Sequence, residues 1–340
     1  MTYKLLNVNV ESLSAANIGD YIQALAASQF LPSVSGFIDR EKLKDYSGED
    51  CKVIMNGWFI HNTEQWPPSS KIHPLFISVH FNSTAINKLL SKESLCYLKQ
   101  YEPIGCRDEQ TKELLIANGI DAYFSGCLTL TLGKNYMSSR RTNKIYFVDA
   151  YFITHWNVKM VLKNSLYLLL NYPAISKISE KHPEPKTGIR KKMILATFYR
   201  EYRKFFSKET LINSTYICQQ SNYYKDNFNS EEEKLAEAER LVKLYSEAQL
   251  VVTSRIHCAL PCLGLNTPVI YVEDSQQSDA SACRFGGIKE FFNILSWDMD
   301  HLVAKFKYEG SITNIKNKEI HKMYVEKLKT ACFNWVNDKI

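Results

Sequence analysis

The segment VVTSRIHCALPCLGLNTPVI, Val251 to Ile270, sets Arg255 and His257 two residues apart where a β-branched run gives way to small residues. In open parallel sheets, ligands bind beyond the carboxyl ends of the strands. A helix N-terminus there offers unpaired N–H groups and a positive dipole to an anion. Arg255 and His257 are expected in the first turn of such a helix, with Thr253 or Ser254 as its cap and Pro261 kinking it one to two turns in. An arginine at that point suits a phosphate or carboxylate, and a histidine can carry a proton near neutral pH. Taken in isolation the two residues also fit a plainer role, with Arg255 pairing with a surface carboxylate and His257 satisfied in a core.

PIGCRDEQT repeats the pattern, with Arg107 following a strand and Asp108 as the expected N-cap of the next helix. Two arginines facing one cleft would hold a doubly anionic ligand through bidentate bonds. SACRFGGIKEFF supplies Arg284 as a third cation, and its Gly286 and Gly287 let the backbone approach something closely. In AANIGDYIQALAASQFL, Gly19 allows a tight turn and Asp20 heads a helix, with Gln23 placed to complete a capping box. MNGWFIHN and SVHFN set Asn56, Trp58, His61 and His80 at or beyond strand ends. Trp58 fits either stacking on a sugar ring or packing in a core.

These residues need elements to hold them, and segments of strand type alternate with helical ones along the chain. In the first part, strands are expected at 52–60, 76–81, 103–106 and 121–126, separated by helical spacing over 83–101 and 108–119, the latter stopped by Gly119. The second part has strand-like runs at 144–152, 214–220, 248–254 and 267–273, and a helix over 230–248 opened by a Ser230/Glu233 capping box. This alternation predicts an α/β fold with a largely parallel sheet. At roughly 100–200 residues per domain, 340 residues predict two α/β domains with a cleft between them. The polar, basic run GKNYMSSRRTNK marks the boundary, giving domains 1–140 and 141–317 and a closing helical segment 318–340. SEKHPEPKTGIRKK (179–192) reads as an exposed loop.

A hydrophobic fraction of 45% with 23% charged residues is that of an ordinary globular protein, which excludes a disordered chain. The net charge of +6 is a mild bias toward anionic ligands, and no basic arm, aromatic-interleaved run or finger spacing points to nucleic acid. Nine cysteines without a secretory leader fit free thiols in a reducing cytoplasm. Cys258 and Cys262 lack a second ligand pair at metal spacing, so no metal is expected, and no glycine fingerprint asks for a nucleotide cofactor. No stretch approaches the roughly 20 apolar residues of a membrane span, so any membrane contact is expected to be peripheral; RRTNK and GIRKK fit either headgroup contacts at the inner membrane face or, more commonly, plain solvated basic faces.

In order along the chain, NIGDYIQALA, NGWF, PIGCRDEQTKELLIANGIDAYFSGCLTLTL (103–132), AQLVVTSRIHCALPCLGLNTPVIYV (248–272) and RFGG resemble the motifs of the polysaccharide pyruvyl transferase family. The resemblance implies two Rossmann-like domains facing across a cleft, similar to the GT-B glycosyltransferase architecture. It implies transfer of the pyruvyl group of phosphoenolpyruvate onto hydroxyls of a sugar, usually as a cyclic ketal, with release of phosphate and no cofactor. Phosphoenolpyruvate crowds a phosphate and a carboxylate onto a small skeleton, so Arg255, Arg107 and Arg284, with Ser254, are the expected donor-binding residues. His257 is the expected general acid and Asp20 the base, with His80 in reserve. Asn17, Trp58 and His80 fall on the acceptor side. The implied acceptor is galactose or a related hexose of a capsule or exopolysaccharide, or of its lipid-linked precursor. A GT-B glycosyltransferase using a nucleotide sugar is the alternative, since one architecture hosts both chemistries.

Overall fold

The first four strands that the sequence builds into a sheet are all parallel in the computed structural model, which describes residues 1–8, 15–152, 158–276, 285–299 and 301–338. They are β1 (Thr2–Asn7), β2 (Phe37–Asp39), β3 (Cys51–Met55) and β4 (Ile72–Phe76), in the order β2-β1-β3-β4. The run CKVIM of β3 is buried at every residue, as a strand covered on both faces must be. The expected strand 52–60 therefore stops at Met55, and Trp58–Phe59 starts a separate short strand that pairs in parallel with His80–Phe81. A further parallel pair, β5 (Ile104–Cys106) and β6 (Ala122–Phe124), completes this half.

The second sheet has six strands, β7 (Ile145–Val148), β8 (Thr215–Ile217), β9 (Leu250–Thr253), β10 (Val269–Asp274), β11 (Asn293–Asp298) and β12 (His301–Ala304). Their order is β8-β7-β9-β10-β11-β12, parallel except for the β11/β12 hairpin at one edge. The β-branched and aromatic stretches IYFV and LVVT, each wholly buried, form its centre.

The longer helices are α1 (Ile18–Ser28), α2 (Glu109–Ala117), α3 (Val158–Leu170), α4 (Tyr172–Lys181), α5 (Gly188–Tyr202), α6 (Glu231–Ser246), α7 (Ile256–Gly264) and α8 (Lys322–Asn337). The single helix expected over 83–101 is two short ones, Ile86–Leu89 and Lys92–Leu98, because the Ser91 side chain accepts the Ser94 N–H and starts a new N-terminus. The loop expected over 179–192 shrinks to 182–187. Buried Ala174, Ile175 and Ile178 carry α4 to Lys181, and GIRKK is the first turn of α5. The capping box of α6 forms as expected, with Ser230 and Glu233 satisfying each other's backbone N–H.

One hydrophobic cluster runs from Leu5 and α1 through α6, α7 and β9 to Leu328 and Cys332 of α8. Helix α1 is apolar nearly all round and buried accordingly. Polar bonds reinforce the join: Tyr21 donates its hydroxyl proton to Glu231 at 2.6 Å, and Asn7 Nδ2 donates to the same oxygen at 2.8 Å. Helix α8 returns to the first half, where Phe333 meets Phe30 edge-on at 5.7 Å and Lys52 Nζ donates to the carbonyls of Trp335 and Asp338. Among the described residues, no helix is long and apolar enough to cross a membrane.

Candidate active site

Three arginines follow strand ends: Arg40 after β2, Arg107 after β5, and Arg255 one residue beyond Ser254 at the end of β9. All three, with His61 and His257, line one cleft of about 390 Å³ in which, among the described residues, Asp20 is the single carboxylate. Asn17, Trp58, Ser254, Gln219 and Gln220 complete its polar and aromatic wall. The cleft exists because a two-residue antiparallel pairing, Gln220 with Asn17 and Ser221 with Ala16, brings the start of α1 against the end of β8. The Ile18 N–H adds a bond to the Gln219 carbonyl at 3.0 Å.

At the start of α1 the cap is Asn17, whose Oδ1 accepts the Gly19 N–H at 3.0 Å, and not Asp20 as expected. Asp20 instead stands three residues into the sequence from that cap and faces the cleft, accepting from Asn17 Nδ2 at 3.3 Å and Gln23 Nε2 at 3.1 Å. Enclosure by protein pushes the Asp20 carboxyl above the usual carboxylate range, against the pull of Arg40, Arg107, the Asn17 hydrogen bond and His61. Gly19 is helical, so no tight turn requires it. A Cβ there would stand 3.0 Å from Asn17 Oδ1 and 3.2 Å from the His257 Cβ, so the glycine allows α1 and α7 to approach.

Arg255 is itself the N-cap residue of α7, and the Thr253 hydroxyl accepts its backbone N–H at 2.9 Å. Its side chain is fixed twice: Nε donates to Asp149 at 2.7 Å and Nη1 to Gln220 Oε1 at 3.0 Å. Asp149 adopts φ +48, a left-handed conformation that aspartate tolerates, and also accepts the Gln219 N–H at 2.9 Å. Ser254 spends its hydroxyl on the Asp149 carbonyl. The carboxylate partner foreseen for Arg255 is thus real, and it sits behind the cleft wall.

His257 interrupts α7 with φ −84 and ψ 19. The cause lies four residues on: Pro261 has no N–H for the His257 carbonyl, and its ring crowds that carbonyl. Gln219 Nε2 supplies the missing donor at 3.3 Å. The kink therefore falls at His257 in the first turn, earlier than expected, and turns the imidazole toward the cleft. His257 is only 9% exposed, and its Nε2 is 3.5 Å from Arg107 Nη1. A guanidinium only donates, so in this contact Nε2 carries its lone pair.

Arg107 is buried at the base of the cleft beside Asp108, which caps α2 by accepting the Thr111 N–H at 2.9 Å. Burial alone would raise the Asp108 carboxyl, but the His80 hydrogen bond and charge, Arg107 and the Thr111 N–H outweigh it and hold it low. His80 is placed differently from expectation. It is 2% exposed, its Nδ1 lies 2.6 Å from Asp108, and it does not line the cleft; it supports the Arg107 loop from behind. Trp58 is in the cleft wall, with Arg40 over its ring at 5.4 Å and His61 packed on it at 4.3 Å. Glu41 fixes that rim by accepting the N–H groups of His61 and Asn62. Asn56 serves structure, donating to the Gln23 carbonyl. Arg284 lies outside the described residues. Gly287, at φ +81, makes the expected close approach, to the Phe124 ring.

Sequence reasoning missed Arg40, Gln219 and Gln220. Arg40 obeys the rule that exposed the other two arginines, but FID is too short a run to announce a strand. The glutamines follow STYIC with no local signal of function.

The family model for polysaccharide pyruvyl transferases matches residues 17–276, a span holding every charged side chain of the cleft among the described residues. The chain belongs to the polysaccharide pyruvyl transferase family. A search of curated proteins returned no match. As a polysaccharide pyruvyl transferase the protein is an enzyme, and pyruvylation of a polysaccharide acceptor is its general chemistry. The nucleotide-sugar alternative is not favoured by this match. Among the described residues of the transferase's cleft, five basic side chains meet one carboxylate whose own ionisation is disfavoured, a balance that suits an anionic ligand.

Proposed function

We propose that this transferase moves the pyruvyl group of phosphoenolpyruvate onto two hydroxyls of galactose or a closely related hexose, in a surface polysaccharide or its lipid-linked precursor. The observation that carries the reading is the convergence of Arg40, Arg107 and Arg255 on one cleft with His257 and Asp20. Arg255, Arg107 and Ser254 bind the donor, and Arg40, unforeseen from the sequence, joins them. Arg284 remains assigned to the donor from the sequence alone. Asn17 and Trp58 flank the acceptor. In this reading the chain is a GT-B-like pair of domains, 1–140 on the acceptor side and 141–317 on the donor side, with 318–340 returning across both.

The reaction balances without a cofactor. A sugar oxygen bonds to C2 of phosphoenolpyruvate while C3 gains a proton and becomes a methyl group. The bond from C2 to the phosphate oxygen then breaks, and the second hydroxyl closes the ketal. Two hydroxyl protons are lost; one is matched by the proton gained at C3, and the other leaves on hydrogen phosphate. His257 delivers the proton to C3 and Asp20 accepts one from the attacking hydroxyl. The negative charge of the donor, bound beside Arg107 and His257, favours the imidazolium that delivers this proton.

Phosphate release from phosphoenolpyruvate, measured in EDTA with and without a panel of galactosides and lipid-linked sugars, tests the reading. Acceptor-dependent release that disappears in His257→Ala is expected. Release that does not depend on any sugar, or stabilisation by UDP or GDP but not by phosphoenolpyruvate, would overturn it.

A further inference from the structure

Helix α3 is apolar on two sides, and only one of them is used inside the protein. Met160, Asn164 and Leu168, spaced by four, are buried, and Asn164 Nδ2 donates to Thr197 of α5 at 2.6 Å. On another face Leu162, Leu166, Leu169 and Leu170 are 67%, 61%, 74% and 72% exposed. Four leucines at helical spacing with most of their area in water form a contiguous apolar stripe, which soluble surfaces ordinarily avoid. Tyr172 and Ile189 extend it, both exposed.

Charge decides what the stripe meets. Residues 158–192 hold eight lysines and arginines against two glutamates, and one of those, Glu184, is buried and bonded to Tyr151. Helix α3 itself has no acidic residue. Lys192 sits over the Tyr172 ring at 4.3 Å and donates to its hydroxyl at 2.6 Å, which brings the basic start of α5 beside the apolar end of α3. Of the two basic runs noted in the sequence, only GIRKK belongs to this surface. In RRTNK, Arg141 is a structural clamp that donates to Ser246, Leu265, Asn266 and Thr267.

We propose that α3 and the N-terminal turn of α5 form a docking surface for an anionic lipid bilayer, the leucines entering the interface and the lysines and arginines meeting headgroups. The surface goes beyond the pyruvyl-transfer reading and does not depend on it.

Sedimentation with vesicles of phosphatidylcholine, alone or mixed with phosphatidylglycerol, tests this on the full chain. The wild type is expected to bind the mixed vesicles, less as salt is added. Leu166→Glu combined with Leu169→Glu, and separately Arg190→Glu combined with Lys192→Glu, are each expected to weaken binding about tenfold or more, with the melting temperature unchanged. Failure of the wild type to bind, or unaltered binding by the double-leucine variant, overturns the proposal. So does a wild-type dimer, seen by light scattering, that the leucine variant splits while vesicles leave it untouched; the face would then belong to a second copy.

Discussion

Arg107 Nη1 lies 3.5 Å from His257 Nε2, so under the proposed mechanism a donor bound at Arg107 sits beside the residue proposed to give the proton. Loss of the acid and loss of a binding cation should therefore separate kinetically. His257→Ala is expected to lower kcat by about a hundredfold or more with KM for phosphoenolpyruvate changed only a few-fold, whereas Arg255→Ala raises KM about tenfold or more. Steady-state phosphate release at varied phosphoenolpyruvate checks both. Asp20 adds a stability prediction. Its carboxyl pKa is raised by folding, so the native state holds the proton more tightly, and above the ordinary value of 3.8 the charge penalises the fold. Asp20→Asn removes that charge. Its melting temperature at neutral pH is expected to equal or exceed that of the wild type, the gap narrowing toward pH about 4, while turnover falls. A lower melting temperature at neutral pH would contradict the assignment.

Helix α7 shows how one proline sets the aim of a residue four positions earlier. Pro261 frees the His257 carbonyl, Gln219 takes it, and the helix bends where the chemistry is placed. In Pro261→Ala the restored N–H competes for that carbonyl. Removing a proline from a helix interior can gain up to about 3 kcal/mol, while the Gln219 bond contributes about 1 kcal/mol, so stability should hold or rise. Turnover is nonetheless expected to fall about tenfold or more as the imidazole swings away. Thermal melts beside phosphate release decide the matter, and full activity in a straightened helix would show the kink to be incidental. The same helix was readable in the sequence as far as its strand, its arginine and its histidine. The position of the bend was not, because the effect of a proline on the carbonyl four residues back depends on whether another donor waits there.

At the scale of the whole molecule, acid sensitivity has a named source. His182 is packed among Tyr151, Phe198 and Tyr216, and burial, with the charge of Lys191, holds its pKa down to about 3 against an ordinary 6.5. The unfolded chain takes the proton that the folded chain refuses. Stability is complete above 6.5 and is lost as pH falls toward 3, by up to about 1.4 kcal/mol per pH unit. His182→Gln should flatten the fall in melting temperature between neutral pH and about 5, even if it melts lower throughout. A profile as steep as that of the wild type would place the sensitivity elsewhere.

The sequence by itself determined the α/β alternation, the family, and the units Arg255 with His257 and Arg107 with Asp108, because in each the chemistry lies within a few residues of a strand end or helix start. Tertiary structure alone decided which of them share a cleft. The pairing of Gln220 with Asn17, about two hundred residues apart, carries Asp20 to Arg255 and brings in Gln219 and Gln220, while packing behind Asp108 takes His80 out of the wall. Local spacing can place a side chain at the end of its own element. Only the register between distant elements places it opposite another.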